Sequence, residues 1–484
     1  MRLNSRKNGA KAEGHLSEAS ERRIGRRSVL GGLLAGAAAT LGAAAPARAE
    51  KSARELFSMA DLRGSSNANE LGLRPGAVDD QSKLLQSILD KAASQNKPVF
   101  LPPGDYKVSN ILLPSNTKLI GVPGSSRLVY SGNGHFLMGE NAEHIEITGI
   151  VADGQNRGFN PYAEALVRLV NIEHAVMDNC RFLGSSGTGI RLDRSAGRIE
   201  RCSISGAAGE CAIMAYENEG LIIVNNEVSD CANGGILVHR WQQAPDGTIV
   251  SGNRVSRIGA ANGGTGEWGN GINVFRCGDV IITGNHVSDC AFTAIRSNAG
   301  SNVQISSNTC LNSGETAIYS EFEFNGAVIN SNVIDGGARG ISITNFMQGG
   351  RMAVCSGNLI RNIRTTAPYE DDEHPFGEGI SAEADTVVTG NVIESASRYG
   401  LMLGWGPYLR DVVATSNIIR GSDIGVYVSV VEGVGPVRIS GNTISGAKGG
   451  AIIGHRWQEK TTGDLANGGD GGNARMMISD NLVS

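Results

Sequence analysis

The chain has 484 residues, with 43 Lys and Arg against 48 Asp and Glu, and a formal net charge of -5. This balance argues against the basic face of a nucleic-acid-binding protein, and 40% hydrophobic with 19% charged residues is not the composition of a membrane protein. Glycine, at 67 residues, is about twice its usual share of about 7%, which predicts many tight turns between short strands.

Residues 1–49 are predicted to be an export signal. Arg26 and Arg27 in the run GRRSVLGG resemble a twin-arginine signal, an apolar stretch rich in Gly and Ala follows them, and Ala47-Arg48-Ala49 has the form of a cleavage site. The Gly and Ala content argues against a permanent anchor, which needs about 20 strongly apolar residues. We therefore expect the twin-arginine translocase as a partner during export, a periplasmic or secreted mature protein, and a leader segment over residues 50–78.

Residues 79–150 are predicted to form an N-terminal cap and the first coils of the fold. Asp79 or Asp80 can cap a helix that reaches Ser94 and places apolar residues on one face. The run PVFLPPGDYKVS then has the pattern of a strand, a Pro-Gly turn and a second strand.

Residues 151–484 carry a repeat in which an apolar residue, a small residue, Asn and a second apolar residue recur, mostly at intervals of 22 to 27 residues. Short strands at this density, with no helix between them, can stack only on the next repeat, which predicts an all-β parallel solenoid. The repeated Asn is expected to adopt left-handed backbone and to form a ladder of side-chain hydrogen bonds. Cys180 and Cys202 occupy the same position of earlier repeats, and all eight cysteines are expected to be buried thiols. The ladder positions are Asn226, Asn253, Asn285, Asn308, Asn332, Asn358, Asn391, Asn417, Asn442 and Asn481.

The segment GAVDDQSKLLQSILDKAASQNKPVFLPPGDYKVS resembles the opening of pectin-lyase-like β-helix proteins. With the export signal and the Asn repeats, the chain is similar to a family of twin-arginine-translocated β-helix repeat proteins of unassigned activity. The resemblance implies a right-handed parallel β-helix with an N-terminal capping helix, and polysaccharide as the ligand class by analogy of fold. The signature motifs of polygalacturonases and classical pectate lyases are missing, so the resemblance assigns no catalytic residue.

Candidate site residues come from a row that strand alternation predicts to be exposed on the outer face of one sheet. Aromatic side chains of this row can stack on sugar rings, and Arg can hold a carboxylate. The candidate catalytic residues are His239, Arg296, Tyr319 and Glu321. The candidate substrate-binding residues are Tyr216, Arg240, Trp241, Asn273, Arg276, Asn298 and Glu383.

Two long loops, 259–271 and 364–379, are expected to overhang this face because each precedes one of its strands. The second contains the acidic run Glu370, Asp371, Asp372, Glu373 and His374, which leaves calcium open as a ligand, and no other cofactor is expected. The motif HRWQ occurs at 239–242 and again at 455–458, as a duplication or as two equivalent sugar contacts. How the C-terminal end of the solenoid is covered is left open.

We therefore expect an exported β-helix protein that binds polysaccharide, with a lyase or epimerase acting on acidic polysaccharide as the leading activity. Such chemistry needs a base near the acidic C–H and a cation for the carboxylate, which the candidate His, Tyr and Arg residues supply. One alternative is a non-catalytic carbohydrate-binding or envelope-associated structural protein. Another is a glycoside hydrolase that uses paired carboxylates such as Glu321 and Glu383. Neither nucleic acid nor stable membrane insertion is expected.

Overall fold

The computed structural model describes residues 64–264, 266–345, 349–370, 376–467 and 475–484. These residues form an all-β, right-handed parallel β-helix whose coils contribute strands to three parallel sheets, which confirms the predicted fold class. The predicted signal, residues 1–49, lies outside the described residues. Strand Ser66–Asn67 pairs with Val99–Leu101, so β structure begins inside the segment predicted as a leader. Among the described residues, no helix is both long and apolar enough to cross a membrane.

We name the sheets A, B and C in the order in which a coil visits them. Sheet A consists of Ile111–Leu112, Leu137–Thr148, Ala165–Asp178, Thr188–Asp193, Ile213–Tyr216, Gly234–Pro245, Asn270–Gly278, Ile295–Asn298, Thr316–Glu321, Arg339–Thr344, Glu378–Ala382, Tyr399–Leu403, Ile424–Ser429 and Gly450–Arg456. Its last strand also pairs in antiparallel fashion with Glu459–Asp464.

Sheet B begins at the N-terminal end and shares two long strands, Leu137–Thr148 and Ala165–Asp178, with sheet A. Its other strands are Ser66–Asn67, Val99–Leu101, Thr117–Gly121, Gly197–Glu200, Ile222–Val224, Ile249–Ser251, Ile281–Thr283, Val303–Ser306, Asn325–Asn330, Arg351–Ser356, Ala384–Thr389, Arg410–Thr415, Val437–Ser440 and Met476–Ser479.

Sheet C has 15 parallel strands. They are Gly104–Val108, Ser126–Tyr130, Ile150–Asp153, Arg181–Leu183, Ser203–Ser205, Glu227–Cys231, Arg254–Ile258, His286–Cys290, Thr309–Leu311, Val333–Gly337, Leu359–Ile363, Val392–Ala396, Ile418–Arg420, Thr443–Ser445 and Leu482–Val483. The helices are the α-helix Ser82–Ser94 and the 3₁₀ turns Gly406–Tyr408 and Leu465–Asn467.

The core lies inside the coils, where Ile, Val and Leu from the inward positions of all three sheets pack in one continuous cluster. Each strand turns alternate side chains inward, because successive side chains point to opposite faces of a sheet. Strand Val437–Ser440 of sheet B, for example, buries Val437 and Ile439 and exposes Arg438. The period-2 runs in the sequence therefore specify the core directly.

Sheet A differs from this pattern, because many of its outward side chains are also buried. The prediction of an exposed row was wrong at Asn273, Arg296, Glu321 and Glu383, which are all buried. Strand Ile424–Ser429 is buried at every position. Alternation sets the direction of a side chain but not its exposure, and loops and neighbouring side chains cover much of this outer face.

The repeated Asn residues form the predicted ladder at the turn from sheet B to sheet C. The Oδ1 of Asn332 accepts hydrogen bonds from the backbone N–H of Asn308 at 3.0 Å and from its Nδ2 at 3.1 Å. The Nδ2 of Asn332 donates to the Oδ1 of Asn358 at 3.0 Å and to the carbonyl oxygen of Ile305 at 2.9 Å. The same pattern repeats along the stack to Asn481, so the polar groups of each buried side chain are paired.

The left-handed residue of this turn is not the ladder Asn but the small residue before it, with φ of 57° at both Ser307 and Ser331. The prediction on this point was wrong, because the bend must precede the Asn for its side chain to enter the stack. Cys202 ends the ladder, since its N–H donates to Asn226 Oδ1 at 2.9 Å. All eight cysteines are buried and unpaired, in agreement with the sequence.

The N-terminal end is covered by the helix Ser82–Ser94, which buries Leu85, Ile88 and Leu89 against the first coils. The helix begins later than predicted, but Asp80 still accepts the N–H of Ser82 at 2.8 Å. At the other end, Glu459–Asp464 folds back on the last strand of sheet A and covers its edge. A hairpin therefore answers, for sheet A, the question that the sequence left open.

Candidate functional site

A cleft of about 420 Å³ opens on the outer face of sheet A, beneath the loop that begins at residue 259. It brings together six of the eleven predicted site residues. The lining residues are Tyr216, His239, Arg240, Trp241, Gly266, Glu267, Asn273, Phe275 and Asn298. Gly266, Glu267 and Phe275 were not among the predicted site residues, although the long loop and the strand alternation pointed to their positions.

Strand register accounts for the floor of the cleft. Tyr216, His239, Phe275 and Asn298 are successive partners on four adjacent strands, so they form one row across the sheet. The rings of His239 and Phe275 lie 5.7 Å apart. Because neighbouring strands are about 4.8 Å apart, equivalent positions of successive repeats become direct neighbours. The row is therefore a consequence of the repeat.

Trp241 stands at the rim because the register of its strand is interrupted between His239 and Ala244. Such a bulge bends a strand and lifts residues away from the sheet. The side chain of Trp241 is 70% exposed, and its backbone N–H donates to Glu217 Oε1 at 2.6 Å. The bulge thus presents a large aromatic surface to solvent beside the cleft.

The loop before strand Asn270–Gly278 forms the opposite wall. The carbonyl oxygen of Gly266 accepts the Nδ2 of Asn270 at 2.9 Å and the Nδ2 of Asn273 at 3.3 Å. A Cβ added at Gly269, where φ is 78°, would stand 2.3 Å from the ring of Phe292, so only glycine fits this close approach. Glu267 is exposed at the mouth.

The charge of Arg240 is already balanced. Its Nη1 lies 3.3 Å from Asp246 Oδ2, its Nη2 lies 3.7 Å from Glu217 Oε2, and Nη1 also donates to the carbonyl oxygen of Asn218 at 2.7 Å. Burial lowers the pKa of His239 to about 4, so its imidazole is neutral at pH 7. The floor of the cleft therefore adds no unpaired cation.

Three of the predicted catalytic residues lie beside the cleft and contact other side chains there: Arg296, Tyr319 and Glu321. Arg296 holds Glu321 through two hydrogen bonds, Nε to Oε1 at 2.5 Å and Nη2 to Oε2 at 2.9 Å. Asn298 Nδ2 donates to the same Oε1 at 2.8 Å. Burial acts to lower the pKa of Arg296, but the charge of Glu321 outweighs it and the pKa is raised.

Tyr319 lies between two guanidinium groups. That of Arg296 is 4.9 Å from the ring centroid, and Nη1 of Arg339 donates to the hydroxyl oxygen at 3.1 Å. Burial raises the pKa of Tyr319, which keeps the phenol protonated. Arg339 is itself paired with buried Glu378, at 2.8 Å between Nε and Oε2.

Two predicted binding residues lie outside the cleft. Arg276 is exposed beside Phe275, with its guanidinium 4.8 Å from that ring, and its Nη1 donates to the carbonyl oxygen of Trp241 at 2.7 Å. Glu383 is buried at the end of its strand, where its Oε2 accepts the N–H of Asn345 at 3.0 Å. Glu321 and Glu383, predicted as paired carboxylates, are thus each bound to other groups.

The second long loop covers the outer face of sheet A next to the cleft. The hydroxyl of Tyr369 donates to buried Glu315 at 2.7 Å, and Phe376 lies beneath the guanidinium of Arg339. The ring of Phe292 is 6.3 Å from that of Tyr369 in the second loop, and Phe292 also packs against Gly269 of the first loop. Both long loops therefore contact Phe292. Of the acidic run for which calcium was left open, Glu370 is exposed, and Asp371, Asp372, Glu373 and His374 lie outside the described residues. Within the described ranges, no three His, Cys, Asp or Glu side chains are grouped so that they could hold a metal ion.

The second copy of HRWQ has a different environment. His455 is buried and stacks on Tyr427 with 4.4 Å between the ring centroids, and Trp457 packs edge-on against Trp405 at 5.4 Å. The hydroxyl of Tyr427 donates to the carbonyl oxygen of Trp457 at 2.7 Å. This copy closes the C-terminal part of sheet A, whereas the first copy lines an open cleft.

Comparison with known proteins is consistent with this architecture. A family model described as a right-handed β-helix region matches residues 124–255, and one described as rhamnogalacturonase A/epimerase, pectate lyase-like, matches residues 65–146. No curated protein matches the chain.

The chain also matches several solved structures. The pre-mature gene product 12 of bacteriophage phi29 has a TM-score of 0.60 and 15% identity, over 86% of this chain and 60% of that one. The catalytic unit of the GH87 α-1,3-glucanase of Streptomyces thermodiastaticus strain HF3-3 has a TM-score of 0.42 and 13% identity, over 87% and 69%. The DFA-IIIase of Arthrobacter chlorophenolicus A6 without its lid has a TM-score of 0.40 and 12% identity, over 87% and 98%. The chain thus spans about 60% of the length of the phage protein, and the family models and that structure support the right-handed parallel β-helix fold.

Proposed function

We propose that this protein binds polysaccharide and that the cleft on sheet A holds a sugar unit of the chain. The observation that carries the proposal is the exposed Trp241 at the rim of a cleft that also contains Tyr216, Phe275 and two Asn side chains. Aromatic rings cover the apolar C–H face of a sugar, and amide groups pair with its hydroxyls. Clefts of a few hundred Å³ with a few polar groups are typical ligand sites.

The proposal includes export to the periplasm or the exterior. It rests on the twin-arginine sequence at Arg26 and Arg27 and on the cleavage-site pattern before Glu50. The translocase would be the partner during this step. A polysaccharide ligand is consistent with such a location.

Lyase or epimerase activity on acidic polysaccharide is the second candidate. It is supported by Tyr319, which lies between Arg296 and Arg339. The phenol could transfer a proton, and the two guanidinium groups could stabilise the negative charge that forms on the substrate. The family model with a pectate-lyase-like description adds support from residues 65–146. Arg296 is paired with Glu321, so its charge is not available for a substrate carboxylate. We therefore favour binding over lyase or epimerase activity. We do not propose hydrolysis by Glu321 and Glu383, since both carboxylates are engaged.

The test compares wild-type protein with Trp241→Ala and Trp457→Ala on a panel of neutral and acidic polysaccharides, by affinity electrophoresis and by mass spectrometry of any products. Trp241→Ala should weaken binding about tenfold or more, because it removes an exposed aromatic contact. A tenfold loss corresponds to about 1.4 kcal/mol of binding free energy. Trp457→Ala is the matched control from the same HRWQ motif and should retain affinity, with a lower melting temperature. Retention by no polysaccharide, or equal affinity of Trp241→Ala and wild type, would reject the proposal. Unsaturated uronides or epimerised units would establish the second candidate.

A further inference from the structure

Four buried polar atoms at or beside the floor of the cleft have no hydrogen-bond partner among the described residues. They are Oδ1 of Asn273, Nε2 of His239, Nε of Arg240 and Nη1 of Arg296. A sugar hydroxyl can donate to the first and accept from the two guanidinium groups. Asn273 is 4% exposed, and its partner on the neighbouring strand is Leu237. His239 is two residues further along that strand. The side chains of Asn273 and His239 therefore lie on the same face of the sheet, in adjacent rows. Protein interiors rarely leave such atoms unpaired, and here they lie at the floor of an open cleft, where a bound ligand can supply the missing partners.

The chemistry of these atoms selects a hydroxyl group. An amide oxygen accepts hydrogen bonds only, so Oδ1 of Asn273 needs a donor from the ligand. A carboxylate is an acceptor only and cannot supply one. A sugar hydroxyl both donates and accepts, so it can donate to Asn273 and bond with the neutral imidazole of His239.

The charges around the cleft also act against an anionic ligand. Arg240 is paired with Asp246 and Glu217, and Arg296, which lies beneath Gly266 of the cleft wall, is paired with Glu321. Arg276 lies outside the lining, with its guanidinium 4.8 Å from the ring of Phe275, and salt screens its exposed charge as it screens that of exposed Glu267. Glu267 stands at the mouth and makes no ion pair among the described residues. A uronate entering the cleft would lose hydration, and the guanidinium groups of Arg240 and Arg296 already have carboxylate counter-charges.

We infer that the cleft takes a neutral glycan, with one sugar hydroxyl held between Asn273 and His239 and the sugar face against Trp241. This inference rests on the proposed function and names the substrate class of the same cleft. It differs from the expectation of an acidic polysaccharide that the Arg residues raised in the sequence. Arg240 and Arg296 are neutralised by carboxylates that the sequence did not place beside them, and Arg276 lies outside the lining.

The experiment measures the affinity of the full chain for matched polymers that differ only at C6, by isothermal titration calorimetry. Polygalacturonate, polymannuronate and polyglucuronate are each paired with their own carboxyl-reduced, neutral form. In at least one pair the neutral polymer should bind tenfold tighter or more. Asn273→Leu should weaken that binding about tenfold. Glu267→Gln should raise the ratio of uronate to neutral affinity about threefold, whereas the control Glu394→Gln, exposed on sheet C, should leave the ratio unchanged.

The outcomes separate this inference from the proposed function. Tighter binding of a polyuronate that is lost in Trp241→Ala would overturn the neutral-glycan assignment and leave polysaccharide binding at the cleft in place. Absence of binding to both members of every pair would overturn both. Because Glu267 is exposed, its variant keeps the test decisive even if Asn273→Leu fails to fold.

Discussion

At the scale of single residues, Arg296 and Glu321 form a buried ion pair, although both were predicted to be catalytic. Both side chains are buried and joined by two hydrogen bonds, and Asn298 adds a third to the carboxylate. Burial of two charges is costly, and good geometry with further hydrogen bonds is what offsets that cost. We therefore regard the pair as a support for the wall of the cleft.

Glu321→Gln should lower the free energy of unfolding by about 3–5 kcal/mol, because it leaves the buried guanidinium of Arg296 without a counter-charge. The double variant Arg296→Met with Glu321→Leu should recover most of this loss, since it removes both charges. Urea denaturation followed by circular dichroism measures both. If Glu321→Gln kept wild-type stability yet abolished product formation, Glu321 would be a catalytic group instead.

His239 makes the stability of the protein depend on pH. Its pKa is held at about 4, below its ordinary value of 6.5, so the unfolded chain binds more protons between these values. The free energy of unfolding should therefore fall as the pH drops from 6.5 towards 4, by up to about 3 kcal/mol from this group. His239→Gln should show a shallower fall in denaturation series at pH 4, 5, 6 and 7. Between pH 7 and 8 the two proteins should change alike, and parallel curves over the whole range would contradict the assignment.

At the scale of elements, the Asn ladder decides how one coil is joined to the next. Each ladder side chain bonds to the coil on either side, and the small residue before it takes the left-handed conformation. The turn from sheet B to sheet C is therefore specified by two residues together. The turn from sheet C to sheet A has left-handed residues too, such as Asp289 and Asn312, but the side-chain bonds between them are exposed. Both long loops occur at this turn.

Asn332→Ala should destabilise the protein by about 3 kcal/mol or more. It removes the partner of the backbone N–H of Asn308, of one Nδ2 hydrogen of Asn308 and of the carbonyl oxygen of Ile305, and each such buried group costs about 1–3 kcal/mol. Asn481→Ala, at the half-buried end of the ladder, is the matched control and should cost about 1 kcal/mol. Equilibrium denaturation compares them. Equal losses at the two positions would mean that the ladder does not act through buried pairing.

At the scale of the whole molecule, each coil contacts mainly its two neighbours, so stability accumulates along the axis. The ends are unequal. The helix Ser82–Ser94 covers the first coils, and a hairpin covers the edge of sheet A at the other end. Met477 and Leu482, on the last strands of sheets B and C, are exposed.

Hydrogen exchange measured by mass spectrometry should reflect this gradient. Amides of central strands such as Thr316–Glu321 should exchange slowest, and those of Met476–Ser479 and Leu482–Val483 fastest, because the latter pair on one side only within the described chain. The strand Gly450–Arg456 should be more protected than these two, since it pairs on both sides. Uniform protection along the axis would mean that the coils unfold as a single cooperative unit.

The sequence by itself determined the parallel solenoid, the Asn ladder and the buried cysteines, because a repeated phrase places the same residue at the same point of every coil. It also led to Tyr216, His239 and Asn298, since register converts a repeat interval into a row on the sheet. Only the tertiary structure decided which outward residues are exposed and which charges are paired. Arg296, for example, is covered by Glu321 on the next strand and by Gly266 of a loop. The repeat pattern of the sequence does not predict that these two residues cover it. Exposure and pairing depend on what packs across a surface, whereas strand direction depends only on the chain itself.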